Sequence, residues 1–468
     1  MRVAAIDQGT TSTRSLVFDD SGAWHVAASH RHAQHHPQPG WVEHDPKELI
    51  ANIQLCLAAA GPVDCIAIAN QGESCVAWDA KTKAALSPVI VWQDARTTAT
   101  LAQRPASDAA TARRIAGLPL DPYFSASKLA WMLQNLPAVQ AALNRGTLRL
   151  GTTDAFFLDH LTDTFATDAA TASRTGLMDL QTQSWSPDLC ALYGLPIHCL
   201  PAIRPVDAGF GAINGTPIRV STVDQQAALY GHNCRAAGDC KITFGTGAFL
   251  SAVTGTTRPQ IDGLLPTLAW ARQNQSPVYA IEGGVYDAGA ALDWAQRIGL
   301  FDSLGDLNHF HGPTALSRGL VFVPALSGLA APYWDRHAAP LFIGMDHATT
   351  RQDMARAVLE GIAMLTLGLI DAAAQYAPLA PLISIDGGLS QSAYFAQFLA
   401  SASNRRILVP PMHELTALGL AELCGLDVSP IRAGGQMFTP DITNDSNVTA
   451  ADHQTFAKAL HRAKSWRS

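Results

Sequence analysis

The sequence predicts an α/β protein of two similar halves with a ligand cleft between them. Three observations carry that expectation. The chain opens on a strand–turn–strand signature, Val3-Ala4-Ala5-Ile6-Asp7-Gln8-Gly9-Thr10-Thr11-Ser12, which runs through Arg14 into Leu16-Val17-Phe18. A second, Ile242-Thr243-Phe244-Gly245-Thr246-Gly247-Ala248-Phe249-Leu250, restarts the pattern near the midpoint. At 468 residues the chain is too long for one hydrophobic core.

The elements follow in order. Strands over 3–6 and 15–18, the turn Asp19-Asp20-Ser21-Gly22 and a strand over Trp24–Ala28 form an antiparallel meander. Asp45-Pro46-Lys47-Glu48 is a capping box with Pro at the first helical position, opening a helix to about residue 60 whose apolar face carries Leu49, Ile50 and Ile53. Cys65-Ile66-Ala67-Ile68-Ala69 reads as a buried strand. From Cys240 the series begins again: two strands around a Gly-Thr turn, a strand over Val278–Ile281, and a helix from about Asp287. A strand over Val321–Val323, a long amphipathic helix over roughly 350–375, and the strand Leu382–Ile385 ending in Asp386-Gly387-Gly388 complete it. A helix after that Gly pair would present its N-terminus to a ligand. The polar stretch Cys234–Asp239 is the expected linker, dividing the chain into residues 1–233 and 234–468.

Glycine lets backbone N–H groups approach an anion closely, and the hydroxyls of Thr10, Thr11, Ser12 and Thr246 add donors beside Gly247. Asp7 would repel a phosphate, so its place in the first turn suits a water or Mg²⁺ that bridges to one. Either turn alone is also compatible with an ordinary glycine-containing hairpin. There is no G-x-x-x-x-G-K-[ST] loop and no G-x-G-x-x-G opening a helix of a βαβ unit. Two duplicated α/β halves, each offering a phosphate hairpin, follow the logic of the actin-like (ribonuclease H-like) ATPase architecture, with the nucleotide in the cleft.

A formal charge of −7 with scattered Lys and Arg gives no footprint for nucleic acid or an anionic membrane. No run approaches the roughly 18 apolar residues of a membrane helix, and Met1-Arg2 leads straight into a strand without a signal-peptide pattern. Eight cysteines without a C-x-x-C pair read as reduced thiols, so the expected location is cytoplasmic. Histidines between His25 and His44 sit in a Pro-Gly-rich connection without metal-ligand spacing and read as a solvated hairpin.

Tyr123-Phe124-Ser125-Ala126-Ser127-Lys128-Leu129-Ala130-Trp131-Met132-Leu133-Gln134-Asn135 resembles the first signature of the FGGY carbohydrate kinases at every defining position. Pro39–Pro46, Val91–Asp94, Asp224–Leu229, Ser327–Leu329 with Ala331–Asp335, and Thr416–Gly419 are similar to the glycerol kinase branch, so the likeness runs from residue 3 to about 426. The resemblance implies ATP and Mg²⁺, a small polyol or sugar as substrate, and a dimer or tetramer. It makes Asp224 the general base, with Asp7 and Asp224 on the metal. Thr10, Thr11, Ser12, Arg14, Thr246 and Gly247 would contact the phosphates, and Gly387, Gly388 and Ser392 the adenosine. The polyol would meet Gly72, Glu73, Trp92, Tyr123, Asp224, Gln225 and Tyr286. Read as residues alone, Asp224 could equally cap a helix, Arg14 could form a surface ion pair, and Trp92 and Tyr123 could be core.

The pocket departs from that family in places. Where glycerol kinases carry Asn-Gln-Arg-Glu, this chain has Asn70-Gln71-Gly72-Glu73, so a guanidinium that grips polyol hydroxyls is replaced by hydrogen. That opens a volume for water or a larger substrate, and keeps a xylulose or ribulose kinase, or an inactive sugar- and nucleotide-sensing homologue, as alternatives. Tyr286 stands in place of a phenylalanine, and Ser392 in place of an asparagine that reaches adenine. The loop Gly209–Gly215 lacks the Gly-Gly-Lys-Gly-Gly-Thr-Arg run tied to fructose bisphosphate control, so no such inhibition is expected.

Overall fold

The structure, a computed structural model, describes residues 1–308, 310–441 and 448–467. Of the loop expected over 441–447, all but Asp441 lies outside the described residues.

In the first half, β1 (Arg2–Gln8), β2 (Ser12–Asp19) and β3 (Trp24–Arg31) form the meander, followed by α1 (Pro46–Ala60), β4 (Cys65–Asn70), β5 (Thr216–Val223) and α2 (Asp224–Gly231). The second half repeats the series: β6 (Cys240–Phe244), β7 (Ala248–Gly255), β8 (Val278–Val285), α3 (Arg351–Ala374), β9 (Leu382–Gly387), β10 (Arg406–Val409) and α4 (Leu415–Leu423). The spatial order is β3-β2-β1-β4-β5 in one sheet and β8-β7-β6-β9-β10 in the other; Ala212–Ile213 extends the first beyond β5, and Leu265–Trp270 and Gln436–Phe438 flank the second. The directions match as well. The first three strands are antiparallel, and the next two run parallel to the first.

The strand over Val321–Val323 has the expected bounds, but those of the two large sheets run longer than their apolar runs suggest, because ladder hydrogen bonds continue through polar residues such as Asp7 and Arg14, which sit opposite each other. The helix expected directly after Gly387-Gly388 is set back. A 3₁₀ turn, Gly388–Gln391, intervenes, and the helix Ala393–Ser403 starts at Ser392, whose hydroxyl caps it by accepting from the Phe395 N–H at 3.2 Å. By length and composition α3 could cross a membrane, but its most apolar stretch is largely buried in the second half's core. All eight cysteines are buried and free.

A shared core joins the halves. Val3, Phe18 and Leu229 from one pack with Val253, Leu418 and Leu420 from the other. At its centre α2 and α4 cross with no side chain between them. A Cβ on Gly231 would lie 1.9 Å from the Leu415 carbonyl oxygen, and one on Gly419 would lie 1.9 Å from that of Ala227.

Of the histidine stretch expected as a solvated hairpin, His25, His35 and His36 are exposed, and two histidines depart from that expectation. His32 and His44 are buried and meet edge to face at 4.7 Å. The connection folds back on β2 and α1, and burial pushes the His44 imidazole down to about 4.

Candidate active site

The first hairpin is braced from outside. The Gly9 N–H donates to the Ser12 carbonyl at 3.0 Å and closes the turn, while the Thr10 and Thr11 carbonyls accept from the His32 ring and backbone N–H. The Trp92 indole N–H donates to Thr10 Oγ1 at 3.0 Å, so a residue assigned to substrate is tied to one assigned to phosphate. Trp92 still stands edge-on to Tyr123, with ring centroids 5.6 Å apart. Arg14 makes the bland contact that the sequence left open, an ion pair to Glu414 at 2.7 Å, but it does so across the halves and opposite Asp7.

The second hairpin exposes Gly245 and Thr246 and buries Gly247. The Thr246 carbonyl accepts from the Ala288 and Ala290 N–H groups, seating the turn at the start of the helix Gly289–Arg297. A Cβ on Gly247 would lie 2.6 Å from the Val285 carbonyl. Gly387 has φ of 86° and would put a Cβ 2.2 Å from the Phe244 carbonyl, so only glycine lets β9 lie this close to the second hairpin. Gly388 is exposed with open space before it. Ser392, besides capping its helix, donates to the Leu307 carbonyl at 3.3 Å, so its hydroxyl is already engaged in holding the loop together.

Between the hairpins lie three carboxylates. Asp224 is the first residue of α2, not its cap, and its Oδ1 accepts from the Gln225 N–H at 2.7 Å. Burial, then the charges of Asp7 and Glu73, push the Asp224 carboxyl up to about 7. Asp7 is pushed to about 6 by burial and by Glu414, against the pull of Arg14. Glu73 is raised by burial even though Arg174 pulls it down. Glu73 also holds φ of 58°, a left-handed conformation that is uncommon and strained for a residue with a side chain. Raised carboxyls on a strained backbone make this cluster the candidate site.

Beside them is a cavity of about 130 Å³ walled by Glu73, Tyr123, Arg174, Gln225, Phe249 and Tyr286. Four of these were expected from the sequence. Gln225 is fixed by the buried Lys241, whose Nζ donates to its Oε1 at 2.7 Å and to Thr243 Oγ1 at 3.0 Å. The volume expected beside Gly72 is not open. A Cβ there would lie 2.8 Å from Val223 Cγ2, because the parallel register of β4 and β5 sets Val223 opposite Asn70.

Among the described residues no three His, Cys, Asp or Glu side chains are grouped to hold a metal. The pair Asp7 and Asp224 nevertheless suits Mg²⁺, which takes one or two carboxylates and completes its shell with water and phosphate oxygens. The charge of Asp7 raises the proton affinity of Asp224, and a divalent cation would relieve that.

Arg174, Glu282, Glu414 and Lys241 were missed by sequence reading. Each acts through a partner distant in the chain, and Lys241 alone carried a local signal, a charge inside an otherwise buried strand.

The arrangement has relatives. The model of the FGGY family of carbohydrate kinases, N-terminal domain, matches residues 2–231, and that of the C-terminal domain matches 240–427. A glycerol kinase of Citrifermentans bemidjiense is 39% identical over 92% of both chains. One from Thermus brockianus is 38% identical over 99% of this chain and 98% of the relative. Among solved structures, Plasmodium falciparum glycerol kinase with ADP superposes with a TM-score of 0.89 at 29% identity, covering 99% of this chain and 98% of that one.

Proposed function

This chain belongs to the FGGY family of carbohydrate kinases, and we propose that within it the chain transfers the γ-phosphoryl group of ATP to a hydroxyl of glycerol or a close small polyol. It is an ATP-dependent phosphotransferase acting on an alcohol. The observation that carries the polyol reading is the carboxyl of Asp224, held near neutrality beside a small cavity edged by Glu73, Tyr123 and Gln225.

Asp224 accepts the proton of the attacking hydroxyl as its oxygen moves onto the γ-phosphorus. Glu73, Tyr123 and Gln225 hold the polyol, with Trp92 behind Tyr123 and the ring of Tyr286 as an apolar wall. Gly72 contributes only close approach of its backbone. Thr10, Thr11 and Ser12 on one side and Thr246 and Gly247 on the other offer donors to the phosphates. Arg14 reaches them by leaving Glu414. Gly387 and Gly388 form a flat bed for the adenosine, with Ser392 ordering the turn beyond it. Mg²⁺, held by Asp7 and Asp224, would neutralise charge on the phosphoryl oxygens. Residues 1–233 thus carry the base and most of the polyol site, and residues 234–468 the nucleotide.

Closure about the α2–α4 crossing and the linker Cys234–Asp239 brings hydroxyl and phosphate together and excludes water. Eight free, buried thiols suit a reducing cytoplasm. The exposed edge strand β3, with Trp24 and Val26 in water, supports assembly into a dimer or tetramer.

The test is ATP-dependent ADP release over glycerol, tetritols, pentitols and pentuloses, with phosphorus NMR of the product and Asp224→Asn as control. Strong glycerol turnover that Asp224→Asn abolishes is the expected result. Turnover confined to pentuloses would assign a different substrate, and silence across the panel would leave a sensor.

A further inference from the structure

Arg174 follows the short helix Ala169–Ser173 and is almost wholly buried. Its Nε donates to Glu73 Oε1 at 2.7 Å, and its Nη1 lies 2.8 Å from Glu282 Oε2. Glu73 belongs to the first half and Glu282 to β8 of the second, so one guanidinium bridges the cleft between the halves. Burial opposes its charge, but Glu282 and Glu73 together hold it protonated.

The two carboxylates do not exhaust it. A guanidinium has five N–H donors in a planar fork. Only Nε makes a hydrogen bond of good geometry; Nη1 is buried without one despite its ion pair. Leaving donors unmade in a buried place is costly and calls for an acceptor. Arg174 lines the cavity with Tyr123, Gln225 and Tyr286. At the position before Glu73, where a cation could have come from the local chain, Gly72 has no side chain and Val223 closes the space.

We propose that Arg174 is a substrate-contacting, specificity-determining residue, whose N–H groups left over by Glu73 and Glu282 donate to one hydroxyl of the polyol. The inference rests on the polyol kinase reading above. Because Glu282 comes from the other half, the hydroxyl is gripped fully only while the halves are together. Glu73 accepts from Arg174 and keeps its second oxygen for a hydroxyl proton. One hydroxyl is therefore recognised as an acceptor and its neighbour as a donor. With the space by Gly72 filled, the cavity selects a short polyol over a pentulose.

Steady-state kinetics of wild type, Arg174→Lys and Arg174→Met on glycerol, propane-1,2-diol and propane-1,3-diol test this, since each diol lacks one hydroxyl. On glycerol, Arg174→Met should lose about ten- to a hundredfold in kcat/KM, the range of a hydrogen bond to a charged group. On the diol lacking the recognised hydroxyl, wild type and variant should differ by less than about threefold. Arg174→Lys, which keeps the charge against Glu73 and Glu282, should fold as wild type and show the same selective loss in smaller degree, and added guanidinium should partly restore Arg174→Met. Equal losses on all three substrates would reduce Arg174 to a strut between two glutamates and overturn the proposal. A wild type that turns over pentuloses but neither glycerol nor the diols would overturn the polyol reading, and this inference with it.

Discussion

The two hairpins differ where it matters. Ile6-Asp7-Gln8-Gly9-Thr10 and Ile242-Thr243-Phe244-Gly245-Thr246 occupy equivalent places in equivalent sheets, each on a strand paired antiparallel to the next and parallel to a later one. Both turns present hydroxyls and backbone donors, but one has an aspartate where the other has a threonine. Asp7 sits among acids and is pushed to about 6, whereas the Thr243 hydroxyl accepts from Lys241 and donates to the Asp386 carboxylate. Duplication supplied the same phosphate grip twice. In the proposed reading, the carboxylate at Asp7 places the chemistry on the first copy and leaves the second to hold the nucleotide. The pattern recurs two strands along, where β5 leads into Asp224 at the head of α2 and β10 leads to α4, which begins at Leu415.

The sharpest way to break that comparison is to remove the acids. Asp224→Asn should fold and lose about three to four orders of magnitude in kcat, read by ADP release; near-normal turnover would remove the base role. Asp7→Asn should cost at least a hundredfold and raise the Mg²⁺ requirement, while Thr243→Val, its counterpart, should alter the KM for ATP far more than kcat. Matched losses at the two positions would show that the copies share the chemistry.

Next in size is the crossing of α2 and α4. Gly231→Ala and Gly419→Ala should each cost about 1–3 kcal/mol or more by forcing backbones apart, measured by denaturant unfolding. The two losses should be alike, because each Cβ would meet the same kind of atom at the same distance. A large cost at only one would break the symmetry.

Acid dependence follows the first hairpin's side. The base must be ionised, so kcat/KM for the polyol should fall about tenfold per unit as pH drops below about 7, before Mg²⁺ charge draws the limb lower. Stability should move the other way. Folding raises the Asp224 pKa above its unfolded value, so ionisation destabilises the fold, and the cost grows from about pH 4 to about pH 7. Asp224→Asn should therefore melt above wild type at pH 8, by a few kcal/mol at most, and level with it near pH 4.

The smallest effect is at Glu414. Glu414→Gln frees Arg14 and removes a charge that raises Asp7, so the KM for ATP should fall severalfold with kcat little changed. An unchanged KM would separate Arg14 from the phosphates.

What could be read from the chain was local. Gly-Thr turns between apolar runs, the Asp45-Pro46 start of α1 and the restart at Cys240 are each written within a dozen residues, and so duplication and hairpins were legible; Asp45 caps α1 through the Lys47 N–H, but Glu48 accepts from the Ala33 N–H instead of closing the expected capping box. Asp7 was legible because it stands just before such a turn, whereas Glu73 and Asp224 were reached through the family resemblance. What the chain hid was pairing at a distance. Arg174 meets Glu73 and Glu282 from 101 residues away in one case and from the other half in the second. Gly72 looked like a gap because Val223, which fills it, arrives on a neighbouring strand. Ser392 was reached through the resemblance, and its letter alone did not reveal that its hydroxyl caps a helix and meets the Leu307 carbonyl.

The glycine crossing also bears on how such a protein changes over generations. Where two backbones touch, no side chain remains through which a substitution on one helix could be absorbed by the other. Recombination that exchanged one half for that of a distant relative would keep each sheet intact yet stake the whole chimera on whether two foreign helices could still lie carbonyl against glycine. The two halves share one topology, and at the glycine crossing each leaves the other no room for a side chain.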